Sequence, residues 1–155
     1  MKDFNISLKK GEIGESLFCS YMQNKGWITY RPTIIDKAHY FDLLCTLNKE
    51  KVIAFDIKTK ARLNKWNAQG IDLRHYNQYM NFVNNSKIPF YLVFIDDKIG
   101  TVHCADITHL KNPIYPNDCI IAWDINQMHY LFTIEKNAIN ELSKYDQRNY
   151  LFNPK

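Results

Sequence analysis

Long apolar runs are missing from this chain of 155 residues. No stretch approaches the roughly 20 residues that cross a bilayer. The N-terminal Met1-Lys-Asp-Phe-Asn5 lacks the apolar core of a signal peptide. A membrane partner is therefore not expected. Cysteine is sparse, with four residues at positions 19, 45, 104 and 119 and no CxxC pair, which argues against a zinc ribbon. Three of the four sit in apolar runs, as small core residues do, and a reduced, cytosolic setting fits best. No GxxxxGK[ST] or GxGxxG is present, so no phosphate loop is expected, and no GxSxG nucleophile elbow occurs. His103, His109 and His129 are too dispersed to propose as a metal set. Linkers, repeats and low-complexity segments are also absent.

What remains suits one domain with a real core. Hydrophobic residues make up 46% of the chain and aromatics 14%. The net charge of +4 permits nucleic-acid binding without requiring it. Apolar spacing predicts a helix over 11–25, stopped by Gly26. A short extended segment, 27–30, follows. Strands over 40–47 and 51–59, joined by Asn48-Lys49-Glu50, predict an antiparallel hairpin. Residues 60–71 read as an irregular loop. Asp72 then caps a helix to about Asn84, with Leu73, Tyr76, Met80 and Val83 inward. Further strands are expected at 90–95, 99–104, 119–123 and 129–134. A short helix is expected to start at Asp106 and a polar one to run over 135–145. The order gives an α/β or α+β sandwich around a central sheet.

The run Val52-Ile-Ala-Phe-Asp-Ile-Lys-Thr59 carries the chemistry. Alternation sends Asp56 and Lys58 to one face, and Phe55 and Ile57 to the other. Two charges on a strand with a buried face need a partner, and a divalent metal with a phosphate suits both. A second acid, Asp42, lies in the neighbouring apolar run. If the hairpin registers suitably, Asp42 and Asp56 converge on one hard cation such as Mg²⁺ or Mn²⁺, with the Ile57 carbonyl as a third oxygen. Lys58 can position water or stabilise charge growing on the phosphate. Beside a cation and an apolar sheet its pKa would fall, which suits a base. Lys60, Arg62 and Lys65 continue the basic run with no acid among them. They suit phosphates, or else a solvated loop. Trp66 suits stacking on a base or pinning the loop to the core.

Asp42 followed by Asp56-Ile57-Lys58 resembles the PD-(D/E)xK motif of restriction-endonuclease-like nucleases, with Phe41 where proline often stands. The preceding stretch, Lys10-Gly-Glu-Ile-Gly-Glu15 through Gly26-Trp27, resembles the first helix of archaeal Holliday-junction resolvases. The likeness covers about residues 10–105; 106–155 form an extension without a motif. It implies a central mixed sheet flanked by helices. It also implies a Mg²⁺- or Mn²⁺-dependent DNA endonuclease that leaves a 5′-phosphate and a 3′-hydroxyl. On that pattern Glu15 reaches the metal, directly or through water, with Glu12 a rival one turn away. The helix at 72–84 often carries auxiliary residues in such families. His75, Tyr76, Gln78 and Tyr79 are candidates, with Tyr76 on the core stripe and Gln78 preferred for DNA contact. Junction resolution would require a homodimer, since two symmetric cuts need two sites. The alternative is an inactive member of the fold that binds nucleic acid or a partner protein.

Overall fold

In the computed structural model, residues 2–32, 39–48, 50–63 and 65–145 are described. A central strand organises them. β3 (Val52–Thr59) pairs antiparallel with β2 (Leu43–Thr46) on one side and parallel with β5 (Phe90–Ile95) on the other. Its residues 53–57 are all buried, as expected of a strand covered on both faces. The six-stranded mixed sheet has the order β1-β2-β3-β5-β6-β9, with β1 (Ile28–Tyr30), β6 (Thr101–Asp106) and β9 (His129–Thr133) completing it.

One face of this sheet is covered by α1 (Lys2–Asn24) and α3 (Lys136–Ser143). Phe18 and Met22 of α1 and Leu142 of α3 meet Leu43, Phe55, Ile57, Val93 and Ile95 there. The other face carries Ala54, Leu92 and Phe94. It is covered by α2 (Leu73–Ser86) and a second sheet of β4 (Ala68–Asp72), β8 (Ile120–Asp124) and β7 (Ile114–Asn117). Trp123 of β8 is 1% exposed and is the largest fully buried side chain on that side.

The hairpin, the Asp72 cap and the Gly26 stop agree with the sequence reading. The Asp72 side chain accepts from the Arg74 N–H at 2.8 Å, and Gly26 takes the positive φ of 84° that favours glycine. Three expectations differ. Residues 60–71 are not all loop, because 68–72 form β4, whose partner β8 lies some fifty residues away and leaves no local signal. Asp106 starts a turn rather than a helix; its side chain bonds the Thr108 N–H and hydroxyl instead. The first helix begins at Lys2, nine residues before its expected start at Gly11. The segment 106–145 supplies β7, β8, β9 and α3, and so covers part of both faces.

Candidate active site

The β2–β3 register pairs Leu43 with Phe55. Carried one residue further, it sets Asp42 opposite Asp56. Asp42 sits just ahead of β2, not inside a strand as expected, and two bonds hold it to β3. Its N–H donates to the Phe55 carbonyl at 2.9 Å, and its Oδ2 accepts the Ile57 N–H at 2.7 Å. Asp56 is 3% exposed. Its Oδ1 accepts from Lys58 Nζ and from the Tyr79 hydroxyl, each at 2.7 Å. Lys58 Nζ also lies 3.4 Å from the Tyr79 oxygen. Asp56 Oδ2 is buried and, among the described residues, has no hydrogen-bond partner.

A cleft of about 350 Å³ opens beside this group. Asp42, Ile57, Lys58, Thr59 and Lys60 line its sheet side; Ser7, Leu8, Lys10, Gly11 and Glu15 line its α1 side. Glu12 instead faces a separate groove with Ser16 and Ser20. The helix therefore separates the two acids that sequence spacing left as rivals. Glu15 Oε2 is ion-paired with Arg31 Nη2 at 2.6 Å.

The electrostatics follow from burial and crowding. Burial pushes the Asp42 carboxyl up to about 7, and the Asp56 carboxylate adds to the rise. Burial pulls Lys58 down, but Asp56 and Asp42 together outweigh it, and the net shift is upward. Two carboxylates crowd the ammonium, so the chain's own residues oppose the fall in pKa that a neighbouring cation would favour. Burial and the Lys58 charge bring Lys60 down to about 8.

The Lys60 shift has a testable sign. The folded state favours neutral Lys60, so the penalty for its charge is fully present below pH 8. That penalty fades as pH rises towards the unfolded value near 10.5. Lys60→Met is expected to be more stable than wild type at pH 7 by about 1–3 kcal/mol. The advantage should shrink steadily between pH 8 and 10.5 in paired denaturant titrations; a constant difference would contradict it.

Among the described residues, no group of three or more His, Cys, Asp and Glu side chains is placed to hold a metal ion. The donors brought together are the carboxylates of Asp42 and Asp56. They fit a hard cation in two respects: Asp56 Oδ2 lacks a partner among the described residues, and the Asp56 carboxylate raises the cost of ionising Asp42, which a cation would relieve.

Residues expected to meet nucleic acid divide. Lys60 lines the cleft, and Lys65 and Trp66 are exposed. Arg62 is engaged within the protein, ion-paired with Asp96 at 3.2 Å and bonded to Asn67 Oδ1 at 2.6 Å and Thr101 Oγ1 at 3.2 Å. Gln78 faces a different groove, with Asn77, Asn81 and Asp118. From α2 it is Tyr79, one residue further on, that reaches the acids. Its ring stacks on Phe90 at 4.7 Å, which aims the hydroxyl at Asp56. Tyr79 lies three residues after Tyr76, so the inward face of the helix was the available signal.

Neither a protein-family model nor a curated protein matches this chain. Among solved structures, it is similar to Hjc, a Holliday junction resolvase from the archaeal hyperthermophile Archaeoglobus fulgidus. The TM-score is 0.57 at 11% identity, over 76% of this chain and 90% of that one. A bacterial homing endonuclease aligns at 12% identity over 92% of this chain and 87% of that one, with a TM-score of 0.47. The mixed sheet flanked by helices, and its likeness to the archaeal resolvase, give this chain the restriction-endonuclease-like α/β fold.

Proposed function

We propose that this protein is a metal-dependent DNA endonuclease of the PD-(D/E)xK type. One observation carries the reading. Asp42, bonded to β3 just ahead of β2, stands opposite Asp56, with Lys58 bonded to Asp56 beside a cleft that Asp42 and Lys58 line. The fold shared with a Holliday junction resolvase supports it.

Asp42, Asp56 and the Ile57 carbonyl would hold Mg²⁺ or Mn²⁺. A bound ion supplies charge neutralisation on the phosphate and a more acidic water. The remaining work falls to the chain. The Ile57 N–H fixes the Asp42 carboxylate, and Tyr79 fixes that of Asp56. Lys58, bonded to Asp56 beside the cleft, would stabilise the charge growing on the phosphate or position the attacking water. Glu15, across the cleft, would act through water or after release from Arg31. Lys60, Lys65 and Trp66 would contact the flanking DNA. Structure-selective cutting as a homodimer is the finer form of the same proposal.

The test is cleavage of four-way-junction, duplex and single-stranded DNA in Mg²⁺ or Mn²⁺, beside an EDTA control and Lys58→Ala. Wild type is expected to cut and Lys58→Ala to be slower by about 10²–10³-fold. No cleavage by wild type, or equal cleavage by the variant, would sink the reading. The Glu15–Arg31 pair favours a second reading, a non-catalytic DNA-binding cleft, because it occupies the third acid. Carboxylate-dependent Mn²⁺ binding separates the two, since the non-catalytic cleft would show none.

A further inference from the structure

One half-buried ion pair beside the cleft has no part in the chemistry above. Lys10 of α1 lines the cleft and is bonded to Asp97 Oδ2. Asp97 stands 87 positions along the chain, in the turn between β5 and β6, and is 2% exposed. Its neighbour Asp96 is also buried, but both of its oxygens are engaged, with Oδ2 paired to Arg62. Asp96 Oδ1 accepts the N–H groups of Lys98 and Ile99 at 3.0 and 3.3 Å, capping the turn locally. Asp97 instead turns inward, and its Oδ1 is buried with no hydrogen-bond partner among the described residues. Burying a carboxylate in this half-satisfied state is costly, while a turn offers solvent nearby. The burial therefore calls for a reason beyond the turn.

The parallel pairing of β3 with β5 supplies the geometry. Thr59 pairs with Ile95, and the Lys60 N–H donates to the Ile95 carbonyl at 3.0 Å. The residues that follow the two strands consequently emerge side by side. Asp97 thus arises next to the strand end that carries Lys58 and Lys60 and reaches across to α1. An ammonium has three donors, and one Asp97 oxygen engages one of them. Lys10 faces Lys58 and Lys60 from the opposite wall of the same cleft.

We propose that Asp97 is a positioning residue that holds Lys10 as the α1-side contact for a DNA backbone phosphate, distinct from the phosphate at Lys58. The phosphate is DNA's on the nuclease reading above, on which this inference rests.

The test uses the full chain with Lys10→Gln, Lys10→Arg and Asp97→Asn. Binding of a fluorescein-labelled duplex is followed by anisotropy in EDTA over a salt series, and cleavage is followed in Mg²⁺. Lys10→Gln is expected to weaken binding about tenfold and to lower the slope of log K against log salt by about one. Its KM should rise with kcat changed less than about threefold, and Lys10→Arg should recover most of the loss. Asp97→Asn should reproduce the Lys10→Gln defect and add nothing to it in the double variant. Tighter binding by Asp97→Asn would overturn the proposal, because Asp97 would then merely neutralise Lys10. A lowered Tm with unchanged salt slope and KM would overturn it too, leaving a structural staple. If wild type binds DNA through Lys10 yet cuts none, the positioning role stands and the nuclease reading falls. If cleavage proceeds with a salt slope indifferent to Lys10, the reverse holds.

Discussion

Asp56→Asn is expected to fold and to lose DNA cleavage by on the order of 10³-fold. The two halves of that expectation have separate physical causes. Asparagine keeps the volume of the side chain and an oxygen able to accept the Tyr79 hydroxyl, so the packing of α2 on β3 survives. It removes one of two charges that repel each other across the strands, which offsets part of the cost of leaving Lys58 without its nearest anion. Net stability should move by no more than about 2 kcal/mol. Function does not share this compensation, since the variant loses a formal charge from the pair that would hold the cation. Thermal unfolding, Mn²⁺ calorimetry and cleavage rates together check it. A folded variant that binds no Mn²⁺ and cuts nothing is the expected result. One that cuts within tenfold of wild type would remove Asp56 from the site.

Gly14→Ala is expected to destabilise the protein, against the usual direction for a helix. Alanine in a helix interior ordinarily gains about 0.5–1 kcal/mol over glycine. At Gly14 a Cβ would run into Thr59 Oγ1 and sit 3.1 Å from Thr59 Cβ and 3.3 Å from Ile95 Cδ1. Overpacking of this kind costs about 1–3 kcal/mol, so the clash wins or at least cancels the propensity gain. The predicted fall in Tm is about 2–8 °C. Activity should fall further than stability, because α1 carries Lys10 and Glu15 on the cleft wall and Thr59 lines its floor. Thr59→Ala in the same chain should restore much of the loss, since it removes the colliding oxygen. A stabilised single variant would mean that α1 does not approach β3 this closely.

The legibility of the site tracked the range of the interactions that make it. Asp42, Asp56 and Lys58 were readable because alternation and a short hairpin are local, and local geometry put all three in one place. The choice between Glu15 and Glu12 needed the rotation of α1 about its axis, which only packing on β3 sets. Arg62 looked like a phosphate ligand in a basic run, yet it pairs with Asp96, 34 positions on. Gln78 and Tyr79 are adjacent in the chain but face different grooves, and the ring packing against Phe90 decided which one meets Asp56.

By itself, then, the sequence determined the strand pair, the capped helix and the acid–acid–lysine set, because each rests on a period of two, a helical stripe or a turn a few residues long. The tertiary structure alone decided the second sheet, the Tyr79 contact to Asp56 and the burial of Asp97 on Lys10. Those depend on neighbours far along the chain: a carboxylate's partner and the dielectric around it are properties of the packed molecule, and no spacing in the sequence encodes them.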